Sequence, residues 1–193
     1  MVEPADAKEL IEEAIEEVER VDHKERELEK RFRNRVSILV GVFAVLLAVI
    51  HVEAASSARE SLLRTVKASD TYNYMEAKII RESLLKTEAQ NPSYDAAAKA
   101  DMLKEASRLR NPDQAGHGIV QLQKSADQLR DEGEAASRKG EWYELAETAM
   151  QVAIVLLSIA MVARSNAIVA GASGLAGLGV VIAAATAAGL LLR

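Results

Sequence analysis

His51 and Glu53 close one apolar run of the chain, and Glu144, Glu147 and Gln151 open another on a single helical face. Imidazole and carboxylate are zinc ligands and proton carriers, and ionisable groups at membrane depth are functional candidates by default. The plainer reading puts the same side chains among lipid headgroups, hydrated and without chemistry. A second candidate is the polar group Asp70, Tyr72, Asn73 and Tyr74, which interrupts an apolar stripe. Asp70 and Tyr74 stand one helical turn apart and can bond along the helix face. A polar contact between chains is the first reading of that group, ahead of a surface feature or a ligand site.

Other chemistries are missing. With no cysteine there is no disulfide, thiolate metal site or thiol nucleophile. No H-x-x-x-H spacing offers a metal pair, and no nucleophile motif is present. The glycine-spaced run 171–179 lacks the Lys-Ser/Thr of a phosphate loop. The expectation is a protein that is not an enzyme, with no cofactor and no metal.

The elements that position these residues follow from where charge is absent. Charged residues make up 27% of the 193 positions, but they crowd into residues 1–35 and 53–147. Three apolar runs remain: residues 36–52, residues 149–163 and residues 167–192. The last holds no charge over a length that signals a transmembrane helix. The first, at about 1.5 Å per residue, is just long enough for a bilayer core. Arg164, Ser165 and Asn166 alone part the second and third runs, which suits a helical hairpin turn. With few prolines and little β-type alternation, the expected fold class is all-α. It comprises an N-terminal coiled-coil-like helix (1–35), transmembrane helices over 36–53, 147–164 and 167–192, and a long extramembrane helical hairpin or arm (54–146). The net charge of −5 excludes a global basic field, so nucleic acid is not an expected partner.

The N-terminal segment places Ile11, Ala14, Val18, Val21, Glu25, Leu28 and Phe32 at strict 3-4 spacing. So narrow a seam suits a coiled coil better than a globular core. In the arm, Leu62, Leu63, Val66, Tyr74, Ala77, Ile80 and Leu84 form a broad apolar stripe. Asn91-Pro92 ends that helix, Ser93 is the expected cap of the next, and residues 111–116 read as a loop. In the third run Gly171, Gly174 and Gly177 recur at every third position, with Gly179/Ala183 as a further small pair. Small residues let helices approach closely in lipid, and the expected contacts include another chain.

Seven basic residues precede the first run (Arg20, Lys24, Arg26, Lys30, Arg31, Arg33, Arg35), and three follow at similar distance (Arg59, Arg64, Lys67). That bias predicts a cytoplasmic N-terminus and an extracytoplasmic arm. Trp142 and Tyr143 fall where an interfacial aromatic belt belongs.

With these residues in view, the chain resembles a bacterial membrane family catalogued as domain of unknown function 4337. The stretches RFRNRVSILVGVFAVLLAV (31–49) and KASDTYNYMEAKIIRESL (67–84) carry the likeness, with the paired C-terminal helices. An Arg-rich entry to the first span is followed there by a Ser-Asp-Thr-aromatic segment and an Ala-Lys pair, here Ser69, Asp70, Thr71, Tyr72, Ala77 and Lys78. The resemblance implies bacterial origin and placement in the inner membrane over nearly the whole chain. It implies no activity.

The functional expectation is a scaffolding membrane protein that self-assembles into a homo-oligomer and organises lipid or an unidentified membrane partner. Ile11, Val18, Val21, Leu28, Gly171, Gly174 and Gly177 are the expected assembly residues. A channel or transporter component is the alternative, and a membrane enzyme with a His51/Glu53/Glu147 site the third.

Overall fold

The computed structural model describes the backbone of residues 4–191 and the side chains of residues 17, 20 and 22–191. Within these residues the chain is all-helical: α1 (Pro4–Glu88), α2 (Ala96–Arg110), α3 (Ile119–Ala163) and α4 (Asn166–Ala187). α1 begins on a proline, whose fixed φ and missing N–H suit a first helical position. No further proline occurs before Pro92, so the helix continues unbroken through the first apolar run. Three helices are long and apolar enough to cross a membrane: α1, α3 and α4.

The chain divides into two compact units, residues 1–51 with 143–188 and residues 52–142 with 189–193. The first unit has Val36, Leu157 and Ala172 at its core, one each from α1, α3 and α4. Phe32, Leu39, Val40 and Phe43 pack on it from α1, Leu156 and Met161 from α3, and Val169 from α4. α3 presents Ala146, Met150, Ala153, Leu157 and Ala160, all fully buried, at 4-3-4-3 spacing. α4 answers with Ala172, Ala176 and Gly179. This contact is made largely of methyl groups and bare backbone, which lets helix axes come close.

The hairpin turn is tighter than its sequence suggests, because Asn166 already belongs to α4. Arg164 takes φ 51°, the left-handed conformation that reverses a chain after a helix. The Ser165 N–H then donates to Ala160 O at 3.3 Å, while Ser165 Oγ accepts from the Ile168 N–H. One side chain thus caps the incoming helix as the outgoing one closes.

In the second unit α1 and α3 run antiparallel. Ser57 faces Gly140, Arg64 pairs with Glu132 and Tyr72 with Asp127, so positions fall along one helix as they rise along the other. The buried line on α1 contains Ala54, Ser57, Ala68 and Glu82. Opposite lie Ile119, Leu122, Ala126, Gly133 and Gly140 of α3. A Cβ at Gly133 would stand 3.2 Å from Thr65 Oγ1 and 3.3 Å from Arg64 Cβ, which explains the glycine. The apolar stripe of the arm is therefore not the side that packs within the chain: Leu62, Leu63, Val66, Ile80 and Leu84 are all exposed.

α2 is capped by Asp95, whose carboxylate accepts the Ala98 N–H at 2.7 Å. Ser93, the cap expected from sequence, instead sits in a turn, its N–H held by Asn91 Oδ1 at 3.0 Å. The 111–118 connection is fastened by Gln121. Its Oε1 accepts from the N–H groups of Asp113 and Gly118, and its Nε2 donates to Asp113 O. Gly118 has no space for a side chain, since a Cβ would lie 2.3 Å from Asn111 O.

Of the N-terminal seam, Ile11, Val18 and Val21 lie outside the residues whose side chains are described. Leu28 is 66% exposed, while Phe32 joins the core.

Candidate functional site

His51 and Glu147 do meet. His51 Nδ1 lies 3.1 Å from Glu147 Oε1, and Gln151 Nε2 donates to that same oxygen at 2.9 Å. A carboxylate only accepts, so in this contact His51 Nδ1 is the donor. The imidazole is 66% exposed and the carboxylate 18%. Glu53 is exposed, and two positions along one helix it does not face His51. Glu144 is exposed as well. Among the described residues no group of three or more His, Asp or Glu side chains is arranged to hold a metal ion. What remains is one hydrogen-bonded acid–imidazole pair with a glutamine steadying the acid.

Tyr74, the second candidate, sets its ring edge-on to His117 at 5.8 Å between centroids, with Lys78 Nζ 5.2 Å above the ring. Lys78 also donates to His117 O. This small cluster fastens the 111–118 connection to α1. Asp70 stays exposed. Asp113 Oδ1 accepts the His117 N–H at 2.6 Å, and that backbone bond first, then His117 and Lys78 nearby, holds its carboxyl below the usual carboxylate range.

The strongest polar site is one that sequence reasoning missed. Glu82 is buried, its side chain only 3% exposed, and Arg110 grips it side-on, with Nε and Nη2 donating to its two oxygens at 2.7 and 2.8 Å. Lys86, one turn on, adds a third bond at 2.6 Å. These bonds, Arg110's foremost, pull the Glu82 carboxyl from 4.5 down to about 2 against the opposing effect of burial. The Glu82–Lys86 spacing is visible in sequence, but Arg110 is not predictable from it. Its role is to clamp α2 onto α1, since a bidentate charged pair fixes orientation as well as distance.

Two further pairs tie α1 to α3. Arg64 donates to Glu132 at 2.6 Å, and the Tyr72 hydroxyl donates to Asp127. The Asp127 carboxylate raises the Tyr72 pKa, because it accepts the phenol's proton and repels the phenolate. In the first unit Arg164 reaches Glu29 at 2.5 Å, which brings the α3–α4 turn to the Arg-rich stretch of α1. No buried side-chain nitrogen or oxygen among the described residues lacks a partner.

The assembly residues sort by face. Gly179 packs with its would-be Cβ 3.0 Å from Ala146 O and 3.2 Å from Met150 Cγ. Gly171, Gly174 and Gly177 have open space in that direction. They take no part in the α3–α4 contact.

Searches of curated proteins and of solved structures return no match to this chain. The sequence profile of one family, described as a domain of unknown function (DUF4337), matches residues 32–190, from the Arg-rich entry of the first apolar run to beyond the end of α4. With all but the N-terminal segment and the last few residues inside that match, the chain belongs to the DUF4337 family.

Proposed function

We propose that this chain is a structural protein of the bacterial inner membrane that crosses the bilayer three times and self-assembles into a homo-oligomer. The assembly would organise lipid or hold partner membrane proteins. The observation that carries this reading is the open glycine face of α4. A Cβ at Gly179 would stand 3.0 Å from Ala146 O, while one at Gly171, Gly174 or Gly177 would meet nothing within 4 Å. Bare backbone on a lipid-length helix is a surface suited to another helix, because close packing drives association where lipid offers no hydrophobic gain.

The same reading puts the N-terminus in the cytoplasm and the arm outside. Support comes from Arg164, whose bond to Glu29 adds the hairpin turn to the end that already carries Arg31, Arg33 and Arg35. Basic residues gather on the cytoplasmic side of membrane proteins. A membrane enzyme would have to work with His51 and Glu147, a pair that no third ligand joins among the described residues, and nothing comparable to the glycine face favours a helix-lined channel.

Light scattering on the detergent-solubilised particle, corrected for bound detergent, tests the proposal. A uniform multiple of the chain mass is expected, reduced by Gly174→Leu and unchanged by His51→Ala or Glu147→Ala. A wild-type monomer would overturn it.

A further inference from the structure

α1 carries two lines of residues along the second unit, and only one is used. The inner line packs on α3 and, at Glu82, on Arg110 of α2, and is built of small and charged side chains: Ala54, Ser57, Ala68 and Glu82 among them. The outer line holds the large apolar residues. Leu63, Val66, Ala77, Ile80 and Leu84 fall on it, and Asp70 and Asn73 fill the steps between, so the spacing is 3-4 throughout. All of these residues are exposed. On a helix the two lines face nearly opposite directions, since 3-4 steps keep each to its own face.

We propose that the outer line is a coiled-coil seam for α1 of a second copy of this chain, running parallel and in register. This inference rests on the self-assembly and membrane readings above, because copies inserted in the same sense at the same depth bring identical residues level. Three features select a second copy over another partner. Regular 3-4 spacing of exposed aliphatic residues is the pattern that packs a helix against its like. The flanking charges fit a parallel pair: Glu76 and Arg81 are five positions apart, the interval at which flanking residues of two parallel helices meet. Each Glu76 would then lie beside Arg81 of the second copy, and Arg81 is available, with a single 3.8 Å contact to Glu105 and a side chain 66% exposed. Finally, the polar step Asn73 can face itself and set register, and the charged step Asp70, the second polar position on the seam, trades strength for specificity there.

The chain has no cysteine, so single introduced cysteines report the geometry directly. In the full chain in membranes, Asn73→Cys and Ile80→Cys should each form disulfide-linked dimers under mild oxidation, because residues on the seam face their own counterparts within bridging distance. Ile79→Cys, also exposed but off the seam, should not. Adding Leu84→Asp should lower the linked fraction of the Ile80→Cys chain by about tenfold or more. Adding Asp70→Leu should raise it, an outcome that damage to the fold cannot produce. If the particle remains an oligomer while neither seam cysteine links, the seam is wrong and the self-assembly reading stands. If the particle is a monomer, both fall.

Discussion

Glu82 shows how one carboxylate can organise an arm. Its pKa of about 2 against an ordinary 4.5 means that the folded arm holds the ionised form more tightly than the unfolded chain does. The stabilisation it contributes is complete above about pH 4.5 and is lost as pH falls toward 2. We expect Glu82→Gln to lower stability at neutral pH by about 1–3 kcal/mol, the worth of hydrogen bonds to a charged group. The variant should also lose the part of the acid sensitivity that falls between pH 4.5 and 2, read by helical circular dichroism during an acid titration. Unchanged acid behaviour would remove Glu82 from this role. The residue was not legible in sequence because its main partner stands 28 positions away, across a turn and a second helix. His51 and Glu147, by contrast, were legible as neighbours, since both sit at the ends of apolar runs that a hairpin brings level.

At the scale of elements, periodicity gave the helices and the loops between them, and it located the α3–α4 turn. It did not give the facing of α1. Hydrophobicity alone points to the Leu/Ile/Val stripe as the inner side. Close approach reverses that choice: Gly133 and Gly140 on α3 accept small or charged neighbours such as Ser57 and the stem of Arg64. The glycines of α4 separate in the same way. Gly179→Leu should force α3 and α4 apart at Ala146 and Met150, and overpacking of this kind costs about 1–3 kcal/mol. Gly171→Leu meets open space and should leave the melting temperature of the monomeric unit unchanged. Thermal denaturation in one detergent compares them, and equal effects would mean that the two faces are not distinct.

For the whole molecule, the measurable question is which side of the bilayer each connection occupies. With the N-terminus inside, a membrane-impermeant maleimide should label Ala115→Cys in intact cells and Ala167→Cys only after permeabilisation. The reverse pattern would invert the topology. Charge bias could be read from the sequence around the first run, but near the later runs it was weak. The contact between Arg164 and Glu29 strengthens it by joining a distant turn to the basic end of α1. The family profile reaches from residue 32 to residue 190, so the apolar runs and the arm lie within the match and the first 31 residues outside it.

The alanines buried between α3 and α4 have a consequence for how the hairpin forms. Ala146, Ala153, Ala160, Ala172 and Ala176 are fully enclosed, yet none has a rotatable side-chain torsion to freeze. Burying them therefore sacrifices no side-chain rotamer entropy, where a leucine or methionine interface would. There is no search among rotamers at these positions; along this line only Met150 and Leu157 have side-chain torsions to settle once Arg164 has turned the chain.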